Sequence, residues 1–461
     1  MDTIAAISTP LGEGGIGVIR ISGPDALRIA DNIFRGKITP SSSATHTVHY
    51  GKIINPDTKQ EIDEVLLVIM KNPHTYTCED MVEINTHSGI VVLNKVLELI
   101  LQSGARHAEP GEFTRRAFIA GRIDLTQAEA VLDIVRAKTD RALSIAIAQL
   151  DGKLSQQVNG IKEKLISIET HIEASIDFPD DVSEDIGWVI HKLPLQEIIE
   201  LLKSGESGKL ISEGATIPVV GRTNVGKSSL FNAILGKDRA IVTPYPGTTR
   251  DTIEEWLNLN GIPIKLVDTA GIRDSSDPVE QEGVKRTRKA IEDASLILFV
   301  IDQSMGIIKE DVKLLSYVKD KLEQLHADWS SRIIVILNKC DLHSYTIDWE
   351  DEIYHYTTLR PHTLISVSAL QGNNIELILP TIAKFISIDN IVPLVSKARH
   401  IDALRRAKLA IERAQDGVGK LTAELISYEI REAINALGEI TGEFTTEDLL
   451  DRIFGEFCIG K

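Results

Sequence analysis

Residues 216–236 read TIPVVGRTNVGKSSLFNAILG, and this stretch decides the fold of the chain around it. Thr216 to Val220 is a short, largely β-branched run, which predicts a strand. Ser228 to Gly236 carries apolar residues at helical spacing. Between them Gly221 to Ser228 reads GRTNVGKS, an instance of GxxxxGK[ST]. A strand, a glycine-bearing loop and a helix in that order build a phosphate cradle. Small residues let backbone N–H groups wrap phosphate oxygens at the helix N-terminus. Lys227 would reach the outer phosphates, and the Ser228 hydroxyl would ligate Mg²⁺. Asn224, Val225, Gly226 and Ser229 complete the expected contact set. The alternative is a glycine-rich turn ahead of a helix, so the companions of this motif carry more weight than the motif.

Four companions follow in order. Pro246 to Asp251 reads PGTTRD, with Thr249 placed to ligate Mg²⁺ from a loop. Asp268 to Gly271 reads DTAG (Asp268, Thr269, Ala270, Gly271) directly after a β run. Its aspartate would hold a Mg²⁺-bound water and its glycine N–H would sense the γ-phosphate. Asn338 to Asp341 reads NKCD, with Asn338, Lys339 and Asp341 as site residues. The Asp341 carboxylate can accept from both N1–H and the 2-amino group of guanine; adenine offers neither donor there. Ser368, Ala369 and Leu370 form SAL, where a backbone N–H can meet guanine O6. Together the five imply a GTPase domain similar to the translation-factor-like P-loop class.

The surrounding texture agrees. Strand candidates are Thr216 to Val220, Glu254 to Leu259, Ile264 to Val267, Leu296 to Ile301, Ile333 to Leu337 and Leu364 to Val367. They alternate with helical segments, the α/β pattern. Asn260-Gly261 is a two-residue hairpin signal, which places one antiparallel strand in an otherwise parallel sheet.

The hydrolytic residues are less regular. Ras-like and Gα-type enzymes orient the attacking water with a glutamine after DTAG. Here that residue is Ile272, which can neither donate nor accept a hydrogen bond, and Arg273, Asp274, Asp277 and Glu280 are the nearby polar substitutes. Asn224 could lend its amide oxygen to K⁺ lying against the phosphates, where an arginine finger otherwise stands. It could equally only stabilise a turn.

The whole chain has 461 residues, enough for about three domains. Hydrophobic and charged fractions of 43% and 25% fit a folded protein. No apolar run approaches the ~20 residues of a membrane span. The start, MDTIAAISTP, has neither a basic opening nor a long apolar run, so no signal peptide and a cytoplasmic location are expected. Three cysteines (Cys78, Cys340, Cys458) are too few and too scattered for a disulfide framework or a zinc site. A net charge of −17 argues against general nucleic-acid binding through the whole-molecule field.

The expected architecture is multidomain, α+β and α/β. Residues 1–118 read as a small α+β domain, 119–212 and 386–461 as two parts of a discontinuous helical domain, and 213–385 as the inserted GTPase. "AEAVLDIVRAKTDRALSIAIAQL" repeats apolar residues at spacings of three and four and predicts helix.

These residues resemble the MnmE (TrmE) family of bacterial tRNA-modification GTPases. The resemblance rests on the P-loop, PGTTRD and DTAG followed by isoleucine. It also rests on "STPLGEGGIGVIRISG", "PGEFTRRAFIAGRIDLTQAEAVLDIV", "IDFPDD" and the late "EITGEFTTEDLLDRIFGEFCIGK". It runs over essentially the whole chain. One departure is Thr223, where the family usually has proline. The resemblance implies a homodimer formed through the N-terminal domain, which binds formyl-tetrahydrofolate as a one-carbon donor through Arg20, Glu83, Arg122 and Lys461. It implies K⁺ held by Asn224, Thr243, Tyr245 and Thr248, Mg²⁺ at Ser228 and Thr249, and Glu280 as the catalytic residue orienting water indirectly. It implies an FAD-dependent partner of the MnmG type, which uses FAD and NADH, and tRNA as substrate. The product would be a carboxymethylaminomethyl or aminomethyl group on carbon 5 of the wobble uridine.

Lys397 to Lys420 runs against the acidic trend of the chain, with seven basic residues and three acidic ones. It could face tRNA phosphates or be a solvated helix face. Cys458 has three readings: a redox or nucleophilic thiol, a thiol placed near the modified base, or a small packing residue. Two other functions compete. A ribosome-assembly GTPase like Era and Der would carry an RNA-binding module such as a KH-type domain, and none is evident. A folate-dependent one-carbon transferase with a regulatory GTPase is the other.

Overall fold

The structure is a computed structural model that describes residues 2–178, 186–237, 254–269, 288–324, 332–342, 348–357, 363–386 and 393–461. The chain forms two compact units. One comprises Met1–Val135, Ala148–Ile198 and Ala403–Lys461; the other comprises Arg136–Ile147 and Ile199–Asp402.

The first unit begins with seven strands: β1 (Ile4–Ile7), β2 (Gly14–Ser22), β3 (Phe34–Gly36), β4 (Thr47–Ile54), β5 (Glu61–Met70), β6 (Met81–Ser88) and β7 (Arg106–His107). They form one sheet in the order β3-β4-β5-β6-β2-β1-β7. Only the β1–β7 pair is parallel. Side chains alternate across a strand, so Ile19 and Ile21, Leu67 and Ile69, and Val82 and Ile84 line one face. That face packs on Ile29, Ala30, Leu93, Val96 and Ile100 from the helices Ala26–Ile33 and Ile90–Gln102. In the helical part, Lys153–Asp177 buries Leu154, Val158, Ile161, Leu165, Ile168 and Ile172 at spacings of three and four. It lies against Ala423–Thr441, and Arg431 pairs with Glu169 at 2.7 Å.

A buried charge cluster ties the helix Glu112–Ile119 to the start of the chain. Arg116 is 5% exposed. It contacts Asp2 (3.0 Å), Glu79 (3.0 Å) and Glu112 (2.8 Å), and Arg106 closes on Glu112 at 2.6 Å. Burial alone would push the Glu112 carboxyl up. The Arg106 guanidinium, the Glu109 N–H and Arg116 outweigh it and hold the carboxyl below its ordinary range.

In the second unit, β8 (Ala215–Val220), β9 (Glu254–Leu259), β10 (Ile262–Asp268), β11 (Ile297–Asp302), β12 (Ile333–Asn338) and β13 (Leu364–Ser366) make a six-stranded sheet. Its order is β13-β12-β11-β8-β10-β9. All six expected strands are present, and only β9–β10 is antiparallel. Asn260 (φ 54°) and Gly261 (φ 85°) form the turn between them, both in the left-handed region that an Asn-Gly hairpin requires.

The helical pattern over residues 128–150 is carried by two helices, Leu125–Arg136 and Asp140–Leu150, with a break between them. Thr139 supplies the physical reason. Its hydroxyl accepts from the Ala142 N–H (3.2 Å), capping the second helix, and donates to the Gly261 carbonyl (2.8 Å). No helix among the described residues is long and apolar enough to cross a membrane.

Arg116→Met should strip Glu79 and part of Glu112 of their buried partner and destabilise the protein by about 3 kcal/mol or more. Glu112, with its depressed pKa, contributes stability that is fully present above its ordinary value of 4.5 and is lost as pH falls through the lower folded value. Thermal melts at neutral and acid pH check both points. The variant should melt well below the wild type at neutral pH, and the gap should narrow on acidification; a constant gap contradicts this.

Candidate nucleotide site and the C-terminal tail

The phosphate loop leaves β8 and ends at the helix Lys227–Lys237. Asn224 (φ 65°) and Gly226 (φ 92°) take left-handed conformations. Successive N–H groups then turn inward as an anion-binding concavity at a helix N-terminus. A Cβ on Gly226 would lie 2.4 Å from Asn338 Nδ2, so only glycine fits. Lys227 is buried, and its Nζ donates to the carbonyls of Gly221 and Arg222, both at 2.9 Å. Burial pushes its amine below the ordinary lysine range, with Asp268 opposing. An incoming phosphate would offer this ammonium a stronger, charged acceptor.

Ser228 Oγ donates to Asp268 Oδ2 at 2.7 Å, so two hard oxygens stand together beside the cradle, the donor chemistry that Mg²⁺ takes. Thr269 leans away and donates to the Val219 carbonyl at 2.6 Å. The Asn224 side chain is exposed and makes no hydrogen bond among the described residues. Its positive φ accounts for an asparagine at this position on backbone grounds alone, while its amide stays open to a ligand. Val225 is buried in the sheet core, and Ser229 is exposed on the helix.

Asn338 braces the base-recognition side. Its Nδ2 donates to the Val225 carbonyl (2.8 Å), and its Oδ1 accepts from the Ala369 N–H (3.0 Å). Asp341 is exposed at the end of that loop. In SAL, the Ser368 N–H donates to Asn373 (3.1 Å), so two of its three amides are used within the protein. That leaves the amide of Leu370, a residue 82% exposed, to meet a base. The expected ligands Thr243, Tyr245, Thr248, Thr249, Ala270 and Gly271, the neighbouring Ile272, and Glu280, expected as the catalytic residue, lie outside the described residues. One partner escaped the sequence reading. Asp302, the only charge in the buried run ILFVID, accepts from Lys339 Nζ at 2.6 Å.

The other candidate residues meet in the first unit. Phe457 is buried and stacks at 5.6 Å on Phe454. Ile459 then bridges Pro110, and Gly460 turns with φ 93° against β1. The Gly460 carbonyl accepts from Ser8 Oγ and from an Arg20 guanidinium nitrogen, both at 3.1 Å. Arg20 pairs with Glu83, its cross-strand neighbour, at 2.8 Å. Its guanidinium also sits 5.9 Å from the Tyr76 ring and 5.5 Å from Phe113, and Arg122 approaches Tyr76 from elsewhere at 5.0 Å. Arg122 and Tyr76 line a cavity of about 500 Å³ with His74 and Cys78. Lys461 is half-buried. Burial pushes its amine down, Cys458 opposes, and the Arg20 charge adds to the fall. Arg20, Glu83, Lys461 and Cys458 thus share one place, linked to Arg122 through Tyr76. Cys458 is an exposed free thiol, which disfavours the packing reading. Ser8, Tyr76 and Phe113 complete the surroundings of this place, and the sequence reading singled out none of them as a site residue.

Three of the seven basic residues in Lys397 to Lys420 pair with carboxylates. Arg406 pairs with Glu439, Arg413 with Glu429 and Lys408 with Glu412. This favours the solvated helix face over a phosphate-binding surface.

A mostly parallel sheet, a left-handed phosphate loop opening a helix and an asparagine-braced guanine loop together define a P-loop GTPase. Models of the "MnmE helical domain" and of the "GTP-binding protein TrmE N-terminus" match residues 125–458 and 3–122. The tRNA modification GTPase MnmE of Natranaerobius thermophilus is 44% identical over 469 residues, spanning 100% of this chain and 99% of its own. That of Acetivibrio thermocellus is 43% identical over 470 residues, with the same coverage. Among solved structures, an Era variant of Aquifex aeolicus bound to GDP.AlF4⁻ is similar at 27% identity, over 42% of this chain and 65% of its own. Its TM-score is 0.30. The chain belongs to the MnmE family of GTPases.

Asp341→Asn should erode guanine selectivity, because an amide accepts from only one of the two guanine donors and presents an N–H to the other. Competition of GTP against xanthosine triphosphate reads this out, and an unchanged preference for GTP contradicts the assignment.

Proposed function

We propose that this protein is a K⁺-activated GTP hydrolase whose cycle drives wobble-uridine modification. Together with an FAD- and NADH-using partner of the MnmG type, it would add a carboxymethylaminomethyl or aminomethyl group to carbon 5 of the wobble uridine of certain tRNAs. Formyl-tetrahydrofolate is the one-carbon donor, and the protein acts in the cytoplasm as a homodimer.

The observation that carries this reading is the hydrogen bond from Arg20 to the Gly460 carbonyl. It brings the exposed Cys458 thiol and the Lys461 ammonium to the Arg20–Glu83 pair. The donor set fits a folate: guanidinium and ammonium groups suit its glutamate carboxylates, and a carboxylate suits the amino edge of its pterin. Bound there, the folate would supply the one-carbon unit. The chain's own contribution is to orient it between β2, β6 and the tail, with the thiol at the solvent side where a uridine arrives. Homodimerisation is supported by Val48, Tyr50 and Leu66, which expose 58%, 63% and 46% of their surface on adjacent strands of one sheet.

At the GTP site, the loop N–H groups and Lys227 neutralise phosphate charge that grows towards the transition state. Ser228 and Asp268 would hold Mg²⁺, and the Asn224 amide would help hold K⁺; these ions supply further positive charge against the phosphates. Glu280 would orient the attacking water.

The test is mass spectrometry of wobble nucleosides from a deletion strain complemented with the full chain or with Glu280→Ala. Modification should return with the first and not with the second. The purified chain should also hydrolyse GTP faster in K⁺ than in matched Na⁺ buffer. Unmodified tRNA in both strains overturns the tRNA assignment; equal rates in the two salts remove K⁺ from it.

A further inference from the structure

Asp302 ends β11, whose other residues are all apolar and buried, and is itself 2% exposed. Burying a carboxylate is costly unless it is paired and hydrogen-bonded. Here both oxygens are occupied. Oδ1 accepts from the Ser304 N–H (3.1 Å) and hydroxyl (2.6 Å), and Oδ2 accepts from Lys339 Nζ (2.6 Å). The same Lys339 ammonium donates to the Asn224 carbonyl at 2.9 Å. Arg222, also in the phosphate loop, brings a second cation to within 3.9 Å of Oδ2.

The two residues joined by that ammonium share a backbone feature. Asn224 (φ 65°) and Lys339 (φ 67°) are both non-glycine residues in the left-handed region. Such conformations persist only where the surroundings enforce them. Asn224 shapes the phosphate cradle, and Lys339 lies between Asn338 and Asp341 in the guanine loop. A single buried carboxylate, held from behind by Ser304, therefore fixes the cation that clamps one turn to the other.

We infer that Asp302 is a positioning residue for the guanine nucleotide, acting through Lys339 to lock the phosphate loop to the base-reading loop. Base recognition and phosphate binding then meet a single preorganised surface, and neither loop has to be ordered when nucleotide arrives. The inference needs only guanine-nucleotide binding, and is independent of K⁺, folate and tRNA.

The experiment is titration of the full chain with fluorescent N-methylanthraniloyl-GDP in Mg²⁺ buffer. Asp302→Asn keeps the shape and removes the charge. A lost charge-assisted hydrogen bond corresponds to about a ten- to hundredfold weaker affinity. Lys339→Met should weaken binding comparably. In the Lys339→Met background, adding Asp302→Asn should cost less than about twofold, since coupled residues are non-additive. The same loss in both backgrounds, or an unchanged affinity in the single variant, overturns the inference. If Asp302→Asn fails to fold, Ser304→Ala takes its place, removing the hydroxyl bond to Oδ1 and keeping the backbone N–H bond. It should weaken GDP by about three- to tenfold and only when Lys339 is present; unchanged affinity again overturns the inference.

Discussion

The contact on which the functional geometry depends is the seat of Gly460 on β1 and β2. A Cβ at this position would lie 2.5 Å from the Ile7 carbonyl and 2.9 Å from Ser8 Cα, so the approach demands glycine, as does the positive φ. Because the backbone comes this close, the Gly460 carbonyl reaches Arg20, and Arg20 is already aimed by its cross-strand pair Glu83. The tail is anchored one turn earlier by Phe457 and Phe454. Phe454 in turn rests on Gly111, where any side chain would meet the Phe454 carbonyl at 2.6 Å. Two glycines far apart in sequence thus allow the two ends of the chain to build one site.

The nucleotide site follows a different logic. Its parts stand on the ends of parallel strands, where loops converge. Asn338, Asp302 and Asp268 each close a buried β run: Asn338 bonds Val225 in the loop that follows β8, Asp268 bonds Ser228 at the start of the helix beyond it, and Asp302 reaches that loop through Lys339. The rigid sheet supplies the spacing, and the loops need only supply the chemistry. The strong local features, two left-handed turns and a buried lysine, sit where phosphate would bind. This agrees with strain being kept at functional sites and offset by the sheet beneath.

Much of this was legible in the sequence, for identifiable reasons. The β8–loop–helix unit, the Asn260-Gly261 hairpin and all six strands of the second sheet follow from local chemistry: period-two or continuous apolar runs, and turn residues that tolerate positive φ. Arg20, Glu83 and Lys461 were nameable by family resemblance, yet their meeting was not legible locally, since residues 20 and 460 touch only through tertiary structure. The break at Thr139 was hidden because its neighbours keep helical periodicity while its hydroxyl is claimed by Gly261. Asp302 was hidden because an aspartate after an apolar strand reads as an ordinary strand end. Tyr76, Phe113 and Ser8 are common residue types whose role is set by what packs against them.

The central claim is that the docked tail completes a folate site in the first unit. Calorimetric binding of 5-formyl-tetrahydrofolate to the wild-type chain and to Gly460→Ala tests it most directly. The added methyl cannot be seated against Ile7 and disfavours the left-handed turn, so the tail should leave Arg20 while the buried cores stay intact. Folate binding should then weaken at least about tenfold, with GTP hydrolysis unchanged. Equal folate affinity in the two proteins, with the tail shown to be displaced by increased proteolysis at residues 456–461, would contradict it.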